Sequence, residues 1–596
     1  MPVSPQLNTE GVVRVSILSA GQAVAETVQV ISVRVQRAAN VVPSARIVVI
    51  DGDMPTGAWP VGDAATFAPG TEIEIKAGYG DDEATIFKGL VVKLGTRISG
   101  DNFGRLIVDC QDKAVKMTVG RKNANYVDET DSAIMQGLAG DHGLSIETDT
   151  TTTTFKELVQ YYCSDWDFLV SRAEVNGLLV IATDGALSVK APAVSAAAAL
   201  KVTYGTDLIE FQAEIDARTQ LASVEAVAWD PKTQAIIKGS PAAPASLNAQ
   251  GDLQSAALAQ VVGLSTYVLQ TAAPLETGAL GDWAKAAQVK AGLARIRGRM
   301  KFQGSAKAKV GGLIELEGVG ARYNGSVFVG GLEHEIADGN WITEVEFGLP
   351  PDWFAGRADV VAPPASGWLP GAEGLQIGVV MKLDGDPLGE QRIQVKVPVL
   401  DAETPGVWAR LAQYYASSSF GAFFVPEVGD EVVLGYFNND PSHPVILGSL
   451  YSSSRQPAYA IEAENNLKAL VTRCLAKIEI DDKDKVITIT TPANNKIVIS
   501  DKDKSIVLED QTSNKVTLDT GGITLDSPKD IKLTAKGSMT LDAVGAVSIS
   551  SKADVKAAGL NVACEAQVGF TGKGAASAEL SASGQTTVKG AMVMIN

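Results

Sequence analysis

Residues 523–554 read ITLDSPKD-IKLTAKGS-MTLDAVGA-VSISSKAD, units of eight with apolar residues at the first and third positions. The pairs are Ile523/Leu525, Ile531/Leu533, Met539/Leu541 and Val547/Ile549, and Val555/Ala557 continues the step. Residues two apart on a strand share a face, so each unit offers one narrow apolar stripe and one polar stripe. A short strand with two inward side chains buries too little to stand alone. Repeats of this kind persist by stacking one continuous core from many neighbours. Asp, Ser, Thr, Lys and Gly fill the intervals, as turns and solvent require. The expected product is a long, thin β-fibre.

Upstream the same unit is looser. Ile478/Ile480, Ile487/Ile489, Ile497/Ile499, Ile506/Leu508 and Val516/Leu518 follow one another at nine or ten residues, with charged turns such as Asp481-Asp482-Lys483-Asp484-Lys485 between them. Downstream, Leu560/Val562 and Val568/Phe570 recover the eight-residue step, Leu580 and Val588 echo it, and Met592-Val593-Met594-Ile595 precede Asn596. A single-chain β-helix takes about 18 to 30 residues per rung, because each rung turns several corners. Eight residues cannot close a rung around a filled interior. Three chains winding together can, each adding strands to a shared prism. Ile523, Leu525, Ile531, Leu533, Met539, Leu541, Val547 and Ile549 are its expected core. The alternatives, a monomeric solenoid or a flat meander, fit less well, since a long meander exposes unprotected edges.

The 596 residues allow about three or four domains. Apolar residues make up 45% of the chain, and its 58 glycines suit short strands and tight turns. A net charge of −18 argues against binding nucleic acid through its phosphates. Cys110, Cys163, Cys474 and Cys564 are scattered, without ligand or disulfide-framework spacing. Met1-Pro2-Val3-Ser4-Pro5 lacks the basic and apolar regions of a secretory signal, and no apolar run reaches spanning length. Synthesis and folding in the cytoplasm are expected.

After the Pro/Gly/Ala-rich joint at 360–367, short strands crowd together. Gly378–Met381, Arg392–Val397, Trp408–Ala412, Ala422–Val425, Glu431–Tyr436 and Pro444–Gly448 read as a small Greek-key barrel. Pro426 and Gly429, with Asp430 after them, are expected to turn between two barrel strands, and Asp440-Pro441 to start the next.

These residues resemble the OB-fold domain of the valine–glycine repeat (VgrG) spike family. The resemblance lies in Pro426-Glu427-Val428-Gly429-Asp430-Glu431-Val432 and in Asn439-Asp440-Pro441-Ser442-His443-Pro444 through Gly448 to Tyr451. Trp408-Ala409-Arg410 and the Gly421-to-Phe424 stretch also sit where that family has them. The first 365 residues are similar more weakly. Ala84 to Val92 looks like a strand of a phage-hub-like domain, and Val329 to Ile336 with Trp341-Ile342-Thr343 also fits. Phe155, Leu158, Val159 and Tyr162 are spaced as a helix face. Asp165 or Asp167 is expected to cap the helix Phe168–Glu174, which ends near Asn176-Gly177 before the strand Leu178–Ile181. A further helix is expected from about Asp282 to Met300 and strands from Val310 to Leu349, with a turn at Tyr323-Asn324-Gly325. Val194 to Leu200 reads as a linker or as a packed approach to a strand.

The resemblance implies a mainly β chain with a few helices. Hub-like β-barrel domains occupy 1–365, the OB barrel 366–455, a linker 456–477, and an intertwined triple-stranded β-helix 478–596. It further implies a homotrimeric spike at the tip of a contractile injection machine. Its hub meets the inner tube and baseplate proteins, and its needle is capped by a PAAR-type tip protein. Met592, Val593, Met594 and Ile595 are expected either as the last strand, plugging the prism, or as the apolar docking platform for that cap. Cargo or effectors are further partners. No cofactor, metal or nucleic acid is expected, and membrane contact only during puncture. An extracellular, phage-tail-like machine is the preferred setting, with a type VI or phage-baseplate spike as the alternative. A trimeric polysaccharide-degrading tailspike is the alternative from a different class.

Chemistry finds little footing. His142, His334 and His443 lie in separate regions without ligand spacing. His443 is expected at a surface turn, and His334, between Glu333 and Glu335, as a strand residue with a raised pKa. Asp481, Asp482, Asp484, Asp501 and Asp503 alternate with Lys, as solvated turns do, rather than standing as a glycosidase pair. Ser417-Ser418-Ser419 lacks a nucleophile elbow. The gap Ser452–Lys477 is too short for an inserted enzyme domain. Lys285, Lys290, Arg295, Arg297, Arg299 and Lys301 form a basic cluster, expected as a solvated helix face or, with less weight, as a contact with an acidic neighbour.

Overall fold

The computed structural model describes residues 2–6, 11–100, 103–245, 247–398 and 406–595. Met1 and Asn596, the outer limits of the expected hub and prism, lie outside them. The chain divides into two compact units, 1–450 and 451–596.

A thirteen-stranded sheet organises the first unit. Two stretches of sequence, 13–111 and 200–347, supply its strands. They join where Gly325–Ala337 pairs antiparallel with Val30–Ala38, from Gly331↔Ala38 to Ala337↔Ser32. Alternation explains the inner strands. Along Val41–Ile50, Ala45, Ile47 and Val49 are buried while their neighbours are not. The sheet closes over two cores, one around Phe67, Phe87 and Trp341, the other around Met300, Phe302 and Phe347. Gly304 is obligatory at the first, because a Cβ there would fall 2.1 Å from the Trp341 ring.

Two α/β insertions accompany these stretches, the first between them and the second within 200–347. The first carries the helices Asp131–Asp141 and Asp165–Val175, a three-stranded sheet and a two-stranded ribbon. The ribbon corrects one expectation. Phe155, Leu158, Val159 and Tyr162 lie on the strand Thr154–Cys163, paired with Lys122–Thr130, and not on a helix. Their spacing fits both periods, but a run rich in Val, Phe and Tyr favours the pleated form once a partner strand is at hand. The next helix is capped by Ser164 rather than by an aspartate. Its Oγ accepts the Asp167 N–H at 3.1 Å, leaving Asp165 and Asp167 in the first turn. That helix stops at Asn176, with Gly177 at φ +71°.

The second insertion holds Val224–Asp230, Ala235–Lys238 and Tyr267–Thr271 beside the helices Ser255–Val262 and Thr277–Leu293. The last helix therefore starts earlier and ends sooner than expected. From Ile296 the period falls to two, with Ile296, Met300 and Phe302 buried, and Ile296–Gln303 enters the large sheet. In the 194–200 stretch, Val194 and Ala198 pack on a small core, and the strand Leu200–Thr203 follows.

Gln376–Lys382, Ile393–Lys396, Val407–Leu411, Glu431–Tyr436 and Pro444–Ser449 close into a five-stranded barrel. Val380, Val395, Ala409, Val432, Leu434 and Ile446 fill it. Ala422–Val425 is not one of its strands. Only the bridge Ala416↔Gly421 forms there, and Phe423 and Phe424 are exposed.

In the second unit, seven strands from Leu467–Val471 to Gly522–Asp526 form an antiparallel meander in sequence order. The looser repeats are thus hairpins of one chain, the arrangement weighed as less fitting. A nine- or ten-residue step leaves four or five residues to reverse direction, enough for a hairpin loop. A strand also lies inside the span expected as linker, because Leu467–Val471 pairs with Lys477–Asp481. From 527 to 595 no strand is formed, and every side chain is exposed or partly exposed.

Candidate functional site

The meander carries a ladder of apolar side chains on one face. Ile478 and Ile480 stand opposite Ile489 and Ile487. Those stand opposite Ile497 and Ile499, which oppose Leu508 and Ile506. Val516 and Leu518 continue the ladder, and Leu525 and Ile523 complete it. Each hairpin keeps its pair on the same face, since a slip of one residue would send the pair to the other side.

Burial along these strands is inverted. From Ile478 to Leu518 the ladder residues other than Val516 are 36–43% exposed, more than the residue between each pair, namely Glu479, Thr488, Val498, Val507 and Thr517. A depression of about 580 Å³ opens between Ile489, Ile497, Leu508, Val516, Leu525 and Ile531. Leu470, opposite Ile478, extends the ladder by one rung. Its strand lies in the expected linker, where the apolar run Ala469-Leu470-Val471 is the signal that marks it.

Of the expected prism core, Ile523 and Leu525 join the ladder. Ile531, Leu533, Met539, Leu541, Val547 and Ile549 lie beyond the last strand and are exposed. Met592, Val593, Met594 and Ile595 are exposed as well.

The turns hold their own charges. Asp482 pairs with Lys468, and Asp484 with Lys502 at 2.7 Å. Asp481 accepts the Lys483 and Asp484 N–H groups, and Asp503 the Ser500 hydroxyl. The Asn514 amide and the Thr512 hydroxyl hold the Asp510 carboxyl down at about 2. These carboxylates act as caps and ion pairs of the turns.

In the barrel, the residues singled out from the sequence do local work. Gly429 sits at φ +85°, and Asp430 accepts the Glu427 N–H at 2.8 Å, closing the turn after Pro426. Asp440, ahead of Pro441, accepts the Ser442 N–H at 2.8 Å and the His443 imidazole at 3.0 Å. Trp408 lies opposite Gln394, Gly448 pairs with Val433, and Tyr451 is exposed. His443 is exposed, as a surface turn residue should be.

The other histidines lead away from catalysis. His142 Nε2 meets Asp165 Oδ2 at 2.8 Å, and Lys122 and Gln160 hold the same carboxylate. Burial pushes the nearby Cys163 thiol up, the reverse of nucleophile activation. His334 is buried against Thr343 Oγ1 at 2.9 Å, and burial drives its pKa down to about 3, opposite to the rise expected. Glu333 and Glu335 project from the other face of the strand. Among the described residues no His, Cys, Asp and Glu group is placed to hold a metal ion.

The basic cluster is spent within the chain. Lys290 pairs with Glu174, Arg297 with Glu214, Lys301 with Glu210, Arg299 with Glu344 and Lys285 with Asp282. Arg295 is buried and donates to the Leu253 and Asn248 carbonyls.

Comparison with known proteins places this geometry. Residues 9–338 match the Alg8 N-terminal domain, and residues 376–451 match the type VI secretion system/phage-baseplate injector OB domain. The type VI secretion system spike protein VgrG3 of Vibrio cholerae is 37% identical over 59 residues, 10% of this chain and 6% of that protein. The spike protein VgrG2a of Pseudomonas aeruginosa is 28% identical over 115 residues, 17% of this chain and 13% of its own. The matches thus span a small part of those relatives. A 43 kDa tail protein of prophage MuSo2 from Shewanella oneidensis aligns at 10% identity with a TM-score of 0.43, over 57% of this chain and 98% of its own. With the first family model covering more than half of its length, the chain belongs to the Alg8 N-terminal domain family, and the injector OB domain that follows makes it VgrG-like.

Proposed function

We propose that three copies of this chain form the central spike of a contractile injection machine. The observation that carries the reading is the ladder, a register-matched apolar face left more open to water than the residue between each of its pairs. One chain cannot cover it, and three identical faces turned inward can. The injector OB domain supports the setting, since the family that describes it spans type VI systems and phage baseplates.

In this reading residues 1–365 act as the hub, 366–455 as the OB collar, 456–477 as the joint, and 478–596 as the needle. The hub meets the inner-tube and baseplate proteins. Met592 to Ile595 seat a PAAR-type tip. The spike is assembled in the producing cell into a particle that acts at a target envelope, and its work is mechanical, without turnover.

Light scattering on the purified full chain and on a truncation ending at Tyr451 tests this. The full chain is expected at three times its 62.2 kDa mass, with trimer weakened or lost on truncation. A monodisperse monomer at full length overturns the reading.

A further inference from the structure

A groove in the first unit has nothing to do with the ladder. It encloses about 840 Å³ and is lined by six consecutive residues, Thr153 to Leu158, and by Ala273 to Glu276 across from them. The helices Asp165–Val175 and Thr277–Leu293 contribute Asn176's neighbour Val175 and, from the second, Ala279 and Trp283.

Three features combine there. First, the strand Thr154–Cys163 belongs to a two-stranded ribbon and pairs only with Lys122–Thr130, so its second edge keeps main-chain donors and acceptors outside any sheet. Second, the walls are apolar and aromatic, with Phe155, Leu158, Leu275 and Trp283 among them. Third, the charge is unbalanced. Arg172 is taken by Asp131 through bonds of 2.6 and 2.9 Å, and Lys156 is taken by Asp128. Glu157 and Glu276 line the groove and form no salt bridge among the described residues, although the Lys156 ammonium, bonded to Asp128, feels the Glu276 charge. An unpaired strand edge, apolar walls and two carboxylates outside any salt bridge together specify a ligand.

We infer that this groove binds an extended, basic segment of another polypeptide, which adds as a third strand to Thr154–Cys163 and directs Lys or Arg side chains to Glu157 and Glu276. Main-chain bonds to the free edge supply affinity, and the carboxylates select positive side chains. A second copy of this chain is a poor occupant. Its net charge of −18 disfavours close approach of its surface to an acidic groove, and the oligomeric mass in the test below separates this occupant. The inference stands on the first unit and is independent of the spike reading.

The test uses the full chain and a fluorescent ten-residue peptide of alternating Lys and Val, followed by anisotropy. Its counterparts are a Glu–Val peptide and a Lys–Val peptide N-methylated at alternate residues, which leaves charge intact but removes strand pairing. Binding is expected for the Lys–Val peptide alone. It should weaken about tenfold or more in the Glu157→Lys/Glu276→Lys variant and be unchanged in Asp81→Lys, a remote charge reversal. The inference falls if the Lys–Val peptide does not bind, if N-methylation or the double reversal leaves binding intact, or if Asp81→Lys weakens it equally. It also falls if the double reversal alters the oligomeric mass of the protein, which would make a second copy the occupant.

Discussion

His334 shows how a single side chain ties the sheet to pH. It is 2% exposed, bonded to Thr343, and 5.6 Å from the Trp341 ring. Burial is the main cause of its lowered pKa of about 3, and the Arg37 charge adds to it. An unfolded histidine titrates near 6.5. Between those values the unfolded chain holds a proton that the folded chain lacks, so acid favours unfolding. The contribution is complete above about pH 6.5 and is lost at about 1.4 kcal/mol per pH unit as pH falls toward 3. Urea unfolding of the wild type and of His334→Gln at pH 7, 5.5 and 4.5 checks this. The wild type is expected to lose stability faster than the variant on acidification. Parallel losses would mean that the imidazole is open to water when folded. The sequence pointed the other way because Glu333 and Glu335 adjoin His334 along the chain. Strand geometry turns neighbours to opposite faces, and the burial of His334 is set by partners near residues 35 and 343.

At the scale of elements, legibility followed the range of the forces. The barrel turns were readable because their chemistry is local. Gly429 supplies a positive φ, and Asp430 and Asp440 bond main-chain groups within three residues. The ladder pairs were readable because a period of two marks a face wherever the strand lies. What pairs with what was not. The 155–162 spacing fits helix and strand alike, and the ribbon partner that decides it lies some thirty residues upstream. The 282–300 stretch reads as one helix until the sheet offers Ile296–Gln303 two neighbours. Ser164 was passed over for the acids after it, yet its hydroxyl both accepts the Asp167 N–H and donates to the Asp167 carboxylate at 2.6 Å. Ser164→Ala is therefore expected to cost about 1 kcal/mol in urea unfolding, and Ser164→Asp to recover part of it. An alanine variant as stable as wild type would show that the acids of the first turn carry the cap.

Across the whole molecule, burial divides unevenly. Among the described residues every buried apolar side chain lies at or before Ile446, and Ser500 is the one buried side chain of the second unit. The first unit holds its own cores. The second has an apolar face and a strandless stretch that are open to water; in the proposed trimer other chains cover them, each ladder side chain worth roughly 1 kcal/mol on full cover. Association and order of residues 527–595 should therefore be one event. Replacing Ile489 and Ile499 with lysine puts two charges per chain at the centre of the ladder, where three chains would bring six together without counter-ions. Limited proteolysis with mass spectrometry should leave the wild-type 527–595 stretch intact. The double variant should run as a monomer and be cut soon after Asp526, while its first unit keeps the wild-type melting temperature. Equal cutting of both proteins would mean that the stretch is unprotected in the wild type too, and that other copies do not cover the ladder. A lowered melting temperature of the first unit would mean that its cores depend on the ladder after all.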